Sequence, residues 1–355
     1  LCPDIFNVRN QDAALLLKKL LIQKVVLSTV LFDHWGVMSA RAGEANAMTD
    51  FRIVTEGLRF PEGPIALPDG DVLVVEIAAG RLTRVHPDGR KTVVATPGGG
   101  PNGAAMGPDG KCYVCNNGGF QVLERNGRLF PLDQPDDYSG GRIERIDIAT
   151  GDVEILYTHC NGHALKGPND IVFDETGGFW FTDHGRTRPR DRDVTGVYYA
   201  RADGSFIEEV IFPCEGPNGI GLSPSEDELY VAETQTARVW AYALNGPGRV
   251  AAPKQPIRGH KGRLIAGLPG HQMLDSLAVD SKGNICVATI HNGGITVIPP
   301  DGSHYRHVPM PDPVTTNICF GGPDMKTAWI TLSSTGKLVA MDWPVPGLKL
   351  NFLNK

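Results

Sequence analysis

The chain has 355 residues with a formal net charge of −6, and 43 Gly and 27 Pro together make up about a fifth of it. That charge and the absence of any basic run argue against a nucleic-acid footprint, and no stretch of 18 apolar residues is present to cross a membrane as a helix. With 41% hydrophobic residues there is ample material for a core, and dense turn residues around short apolar runs point to an all-β protein.

Residues 1–47 lack the Gly/Pro punctuation that begins after Thr49. Their apolar run from Leu15 to Leu27 reads as a helix, as a signal peptide ending at Ala40-Arg41-Ala42, or as an upstream extension before Met48. The interrupting Gln23 and Lys24 disfavour the signal reading. The expectation is an extension outside the fold, a domain over residues 48–355, and a cytoplasmic protein, secreted or periplasmic if the signal reading holds.

Six segments then repeat a turn followed by a short apolar run. They are Phe60-Pro-Glu62-Gly-Pro, Gly100-Pro-Asn102-Gly-Ala, Gly167-Pro-Asn169-Asp-Ile, Gly216-Pro-Asn218-Gly-Ile, Met273-Leu-Asp275-Ser-Leu and Thr315-Thr-Asn317-Ile-Cys. A polar turn and a second apolar run follow each, as in residues 72–75, 112–115, 179–182, 228–232, 284–289 and 327–332. Asp-Gly pairs at 69–70, 88–89, 109–110, 203–204 and 301–302 suit tight hairpins. A spacing of about 40 to 57 residues, with one longer gap filled by a Gly/Asp/Pro-rich insertion near residues 118–141, fits propeller blades. The fold predicted is therefore a six-bladed β-propeller, with residues 51–56 serving as the outer strand of the last blade.

Seven scattered cysteines do not form a disulfide framework. Cys112 and Cys115 lie in a strand-like run where residues three apart face opposite ways, so they read as core residues rather than a zinc or redox pair.

In a propeller the residue just before each inner strand faces the mouth of the central channel. Across the repeats that position holds Glu62, Asn102, Asn169, Asn218, Asp275 and Asn317, all oxygen-bearing. Such a ring suits a hard divalent cation, calcium first and magnesium next, rather than a soft one. Asn in these turns also has an ordinary role bonding its own backbone; the carboxylates of Glu62 and Asp275 are what turn chemistry does not require. The ligand set expected is Glu62, Asn169, Asn218 and Asp275, with Asn102, Asn317 and His184 as substrate contacts. His159, His163, His271 and His291 show no zinc spacing, and the mixed run from Arg186 to Asp193 reads as a solvated loop.

These motifs resemble the senescence-marker-protein/gluconolactonase family, which includes regucalcin, and more distantly diisopropylfluorophosphatase. The resemblance spans about residues 51–345. It implies a central divalent metal, usually calcium with zinc, manganese or magnesium as alternatives, and hydrolysis of a small-molecule lactone. Glu62, Asn218 and Asp275 would be metal ligands, Asn169 a ligand or the holder of a metal-bound water, and Asp275 the general base or a nucleophile. Gly167 stands where the sugar-lactonase branch carries Arg, which sets this chain apart from that branch. A phosphotriester or fluorophosphate hydrolase on the same site, and a non-catalytic calcium-binding propeller, are the competing readings.

Overall fold

The computed structural model describes residues 50–252 and 262–355; the sequence reading of residues 1–47 lies outside them. The described residues build six four-stranded antiparallel sheets, five of them running outward in chain order and the sixth completed by a strand from the other end of the domain. Blade 1 comprises Pro61–Ala66, Val72–Glu76, Arg81–Val85 and Lys91–Ala95; blade 2 Pro101–Met106, Cys112–Asn116, Arg142–Ile146 and Val153–Tyr157. Blade 3 comprises Pro168–Phe173, Gly178–Asp183, Thr195–Arg201 and Ile207–Cys214; blade 4 Pro217–Leu222, Glu228–Glu233, Arg238–Ala243 and Arg263–Gly267. Blade 5 comprises Met273–Val279, Ile285–Ile290, Gly294–Ile298 and Arg306–Pro309. Blade 6 takes Thr315–Gly321, Thr327–Leu332 and Lys337–Asp342 from the C-terminal end and Arg52–Thr55 from the other, Arg52 pairing with Ala340. The ring thus closes by pairing the two ends of the described domain, which leaves the last blade no missing strand.

The inner and second strands are buried throughout or nearly so, whereas outer strands such as Lys91–Ala95 are mostly exposed. Apolar clusters lie between adjacent blades, so the core is a set of wedges rather than one centre. Cys112 packs with Ile65 and Leu73 toward blade 1, and Cys115 with Phe179 and Phe181 toward blade 3. The two cysteines sit on opposite faces of one strand, and all six described cysteines are free and buried.

Two further elements lie outside the blades. The Gly/Asp/Pro-rich insertion between the second and third strands of blade 2 contains a hairpin, Val122–Arg125 with Arg128–Pro131. It reaches blade 6, where Leu129 N donates to Ser334 O (2.9 Å), and blade 3, where Gln134 N donates to Thr187 O (3.1 Å). At the opposite mouth the C-terminal segment crosses the wheel. Leu348 N donates to Val279 O (3.0 Å), Asn351 Nδ2 to Phe173 O (3.0 Å), and Lys355 Nζ meets Glu226 Oε1 at 3.0 Å. A cavity of about 100 Å³, lined by Asp170, Ile171, Ile220, Leu277 and Leu348 among others, remains between this segment and the ring residues.

Candidate metal centre

Every inner strand carries a register irregularity at the ring position. It falls between Glu62 and Ile65, Pro101 and Ala104, Pro168 and Ile171, Pro217 and Ile220, Leu274 and Leu277, and Thr315 and Asn317. A bulge re-aims side chains that a regular pleat would alternate between faces, so the ring residue is turned toward the axis in each blade. Small residues after it let neighbouring bulges meet. A Cβ on Gly103 would lie 2.4 Å from Asn169 O, and one on Gly219 2.7 Å from Asp275 O.

In blades 1 to 4 a second repeated device holds the turn before the ring residue. There the last residue of the second strand is a buried acid or amide that accepts backbone N–H bonds from that turn. Glu76 accepts from Arg59 N (2.7 Å), Asn116 from Gly100 N (2.9 Å), Asp183 from Gly167 N (2.7 Å), and Glu233 from Glu215 N (2.9 Å). In sequence these were polar residues ending an apolar run; their partners, 16 to 18 residues away, were not apparent.

All six ring residues are buried, between 2% and 8% exposed. Asn317 is fully engaged: its Oδ1 accepts from Ile318 N (2.7 Å) and its Nδ2 donates to Glu62 Oε2 (2.8 Å), which also accepts from Gly63 N (2.9 Å). Asn317 therefore aims Glu62 and has turned its own oxygen away. Asn218 is turned the other way: Nδ2 donates to Thr234 Oγ1 (3.0 Å), and Oδ1 is buried without a partner. Asn169 Oδ1 is likewise buried and partnerless. Leaving such an oxygen desolvated costs on the order of 1–3 kcal/mol, so these two orphan acceptors mark where a donor or cation belongs.

Electrostatics agree. Burial raises the Glu62 carboxyl above its ordinary range against bonds from Asn317 and Gly63. Burial, then the charge of Glu62, raises Asp275 well above the usual carboxylate range. Glu62 and Asp275, contributed by blades 1 and 5, thus face each other closely enough to repel. Two desolvated carboxylates and two orphan amide oxygens form an all-oxygen set of charge −2, which fits a hard divalent cation. Among the described residues no three His, Cys, Asp or Glu side chains gather into a metal cluster, as expected of a set half made of amides.

Asp170, next to Asn169 in the third repeat, is a site residue that the ring position by itself does not single out. Its carboxylate accepts from Ile171 N (3.0 Å) and, in blade 4, Ile220 N (3.3 Å). Burial pushes its acid up to about 7, with Glu62 adding repulsion. Asp170 ties neighbouring blades together beneath the ring rather than offering a free ligand oxygen. Asn102 begins the inner strand of blade 2 as the repeat required, and its backbone carbonyl would lie 2.4 Å from a Cβ on Gly63.

His184 follows the second strand of blade 3 at the mouth. Its Nδ1 is enclosed without a partner, and burial, then Arg186, pushes the ring down to about 4, so it is neutral at pH 7. Of the arginines that follow, Arg188 is paired inside its own loop with Asp191 and Asp193, and Arg192 with Glu215 at the entry to blade 4. Arg186 is buried, its guanidinium 4.4 Å from the Phe120 ring centroid. His271 and His291 stack at 4.5 Å, a contact their spacing did not reveal.

The family model described as "SMP-30/Gluconolactonase/LRE-like region" matches residues 60–334. Gluconolactonase from Zymomonas mobilis is 25% identical over 301 residues, 77% of this chain and 76% of that protein. Lactonase drp35 from Staphylococcus haemolyticus is 30% identical over 268 residues, 73% and 72% of the two chains. Diisopropyl-fluorophosphatase from Loligo vulgaris is 29% identical over 321 residues, 84% and 94%. Among solved structures, a calcium-binding regucalcin from Agrobacterium tumefaciens superimposes with TM-score 0.67 at 20% identity, covering 86% of this chain and 98% of its own.

Proposed function

The chain belongs to the SMP-30/gluconolactonase family, and from that premise we propose that it is a metal-dependent hydrolase that opens a lactone, with Asp275 as general base. The observation that carries the reading is the opposed turn of two amides: Asn218 Oδ1 and Asn169 Oδ1 are buried and partnerless, while Asn317 spends its amide on Glu62. The likeness to gluconolactonase and lactonase drp35 supports the substrate class.

Glu62, Asn169, Asn218 and Asp275 would hold the cation, calcium by the hardness of the donors. Bound there, a divalent cation supplies Lewis-acid polarisation of the ester carbonyl and acidifies water. Asn317 and Gly63 N fix Glu62 as a charge-neutralising group. Asp275, desolvated beside Glu62, takes the proton of the attacking water. His184, neutral and half-buried at the mouth, and Asn102 orient the substrate. The C-terminal segment closes the far mouth, so substrate enters from the side where the ring residues stand.

The test is a panel of sugar, aliphatic and aromatic lactones assayed after chelation and after add-back of calcium, magnesium, manganese or zinc. Activity lost with chelator and restored by one metal is expected. A chelated protein with undiminished lactone turnover would end the metal reading. A phosphotriester turned over in preference to every lactone would move the assignment to the alternative suggested by the 29% identity to the fluorophosphatase.

A further inference from the structure

A third buried orphan atom lies at the same mouth, and it is a donor. Asn117 is the residue after the second strand of blade 2, and it is 2% exposed. Its Oδ1 accepts from Gly119 N (2.9 Å), which settles the rotation of the amide, since the nitrogen could not take that bond. Nδ2 is then left buried with no partner. A buried, unpaired amide N–H₂ needs an explanation in a folded protein.

Register says where it stands. Pro101 pairs with Asn116 and Pro217 pairs with Glu233, each Pro preceding a ring residue. Asn117 therefore holds in blade 2 the place that Thr234 holds in blade 4. Thr234 reaches the ring, its Oγ1 3.0 Å from Asn218 Nδ2. His184 holds this place in blade 3, since Pro168 pairs with Asp183, and its Nδ1 is also enclosed and partnerless. Two neighbouring blades thus carry enclosed side-chain nitrogen atoms at equivalent places just after the second strand.

The Asn117 backbone is held from outside its own blade. Arg186 Nη1 donates to Asn117 O (3.2 Å) and Nη2 to Gly119 O (2.5 Å). The guanidinium is packed against the Phe120 and Tyr138 rings, at 4.4 and 5.3 Å from their centroids. Asn117 N donates to Gly100 O (2.8 Å), and a Cβ on Gly100 would come within 2.2 Å of Asn117 Oδ1. These contacts hold one side chain still while leaving its donor unused.

We propose that Asn117 is a substrate-orienting residue whose Nδ2 donates to an ester oxygen of the bound lactone, and that Arg186 is the positioning residue that holds it there. The proposal rests on the lactone reading above. A neutral donor at that place would hold an ester oxygen and select acceptor-bearing substrates by geometry rather than by charge.

The test uses the full chain and the isostere Asn117→Asp, which keeps an oxygen for Gly119 N but replaces the donor with an acceptor. Alongside it go Asn117→Ala and Arg186→Lys. Steady-state kinetics are run on δ-valerolactone and glucono-δ-lactone, and the calcium-induced rise in Tm is measured separately. Asn117→Asp and Asn117→Ala should each lower kcat/KM about 5- to 30-fold, the range of one lost hydrogen bond with its partner left unpaired. Their calcium-induced Tm rise should match the wild type. Arg186→Lys, which cannot reproduce the paired bonds, should lower kcat/KM in the same direction with the calcium response kept. If Asn117→Asp retains kcat/KM within twofold while Asn117→Ala merely lowers Tm, Asn117 serves only its turn and the proposal is overturned. A wild type that binds calcium and opens no lactone overturns the lactone reading itself, a result distinct from unchanged kinetics in the variants.

Discussion

Thr234 gives the most direct test of how the centre is built. Its hydroxyl accepts the Asn218 Nδ2 bond and so decides which end of that amide looks inward. Thr234→Val is close to isosteric and removes only the acceptor. With that bond gone, the Asn218 amide can turn, and part of the population presents N–H₂ to the cation. Loss of such an orienting partner costs about 10- to 100-fold in metal affinity, or about 1.4–2.7 kcal/mol. Unfolding entropy near 2.1 cal/mol/K per residue, over roughly 300 propeller residues, is about 0.6 kcal/mol/K. At a fixed, saturating calcium concentration the calcium-induced rise in Tm should therefore shrink by about 2–4 °C relative to wild type. The Tm in chelator should fall by no more than about 2 °C, the cost of one hydrogen bond. Thr234→Ser should restore the response. Scanning fluorimetry or calorimetry with and without calcium reads all three values. An undiminished calcium response in Thr234→Val would refute the claim that this hydroxyl sets the amide.

Other outcomes follow from the same geometry. Asp275→Asn keeps an oxygen toward the cation but loses a charge and the proton acceptor; turnover at confirmed metal occupancy should fall on the order of 10²- to 10⁴-fold, and near-normal turnover would remove Asp275 as base. Deleting residues 348–355 strips Leu348 and Leu353 from the far mouth together with the Asn351 and Lys355 contacts. That should cost about 3 kcal/mol and lower Tm by about 5 °C, measured by calorimetry; an unchanged Tm would show that the segment seals nothing. A chain beginning at Met48 should melt cooperatively and keep lactone turnover, because the strand that closes blade 6 starts at Arg52; loss of the cooperative transition would place residues 1–47 within the fold.

What was legible in the sequence is what repeats. Most strands of a blade are consecutive and joined by turns, so the hairpin pattern and the period sufficed for the six-bladed wheel. The strand at Arg52–Thr55 pairs with Lys337–Asp342 as its position before the first repeat implied. The same periodicity singled out Glu62, Asn102, Asn169, Asn218, Asp275 and Asn317, because one position in every repeat must face the axis.

The direction in which each of those side chains turns was not legible. Asn218 and Asn317 are the same residue type at equivalent positions, yet one leaves its oxygen unpaired and the other consumes it. The difference lies in Thr234 within blade 4, and in Glu62, 255 residues from Asn317 and joined to it only when the ring closes. Asp170, flanked in sequence by Asn169 and Ile171, becomes a tie between blades only because Ile220 N of the adjacent blade reaches it. Arg186 read as one charge in a solvated loop until the blade 2 insertion folded over it. Periodicity is a property of the chain and survives in the sequence, whereas the orientation of an amide is set by neighbours brought from other blades, so only the tertiary structure decided it.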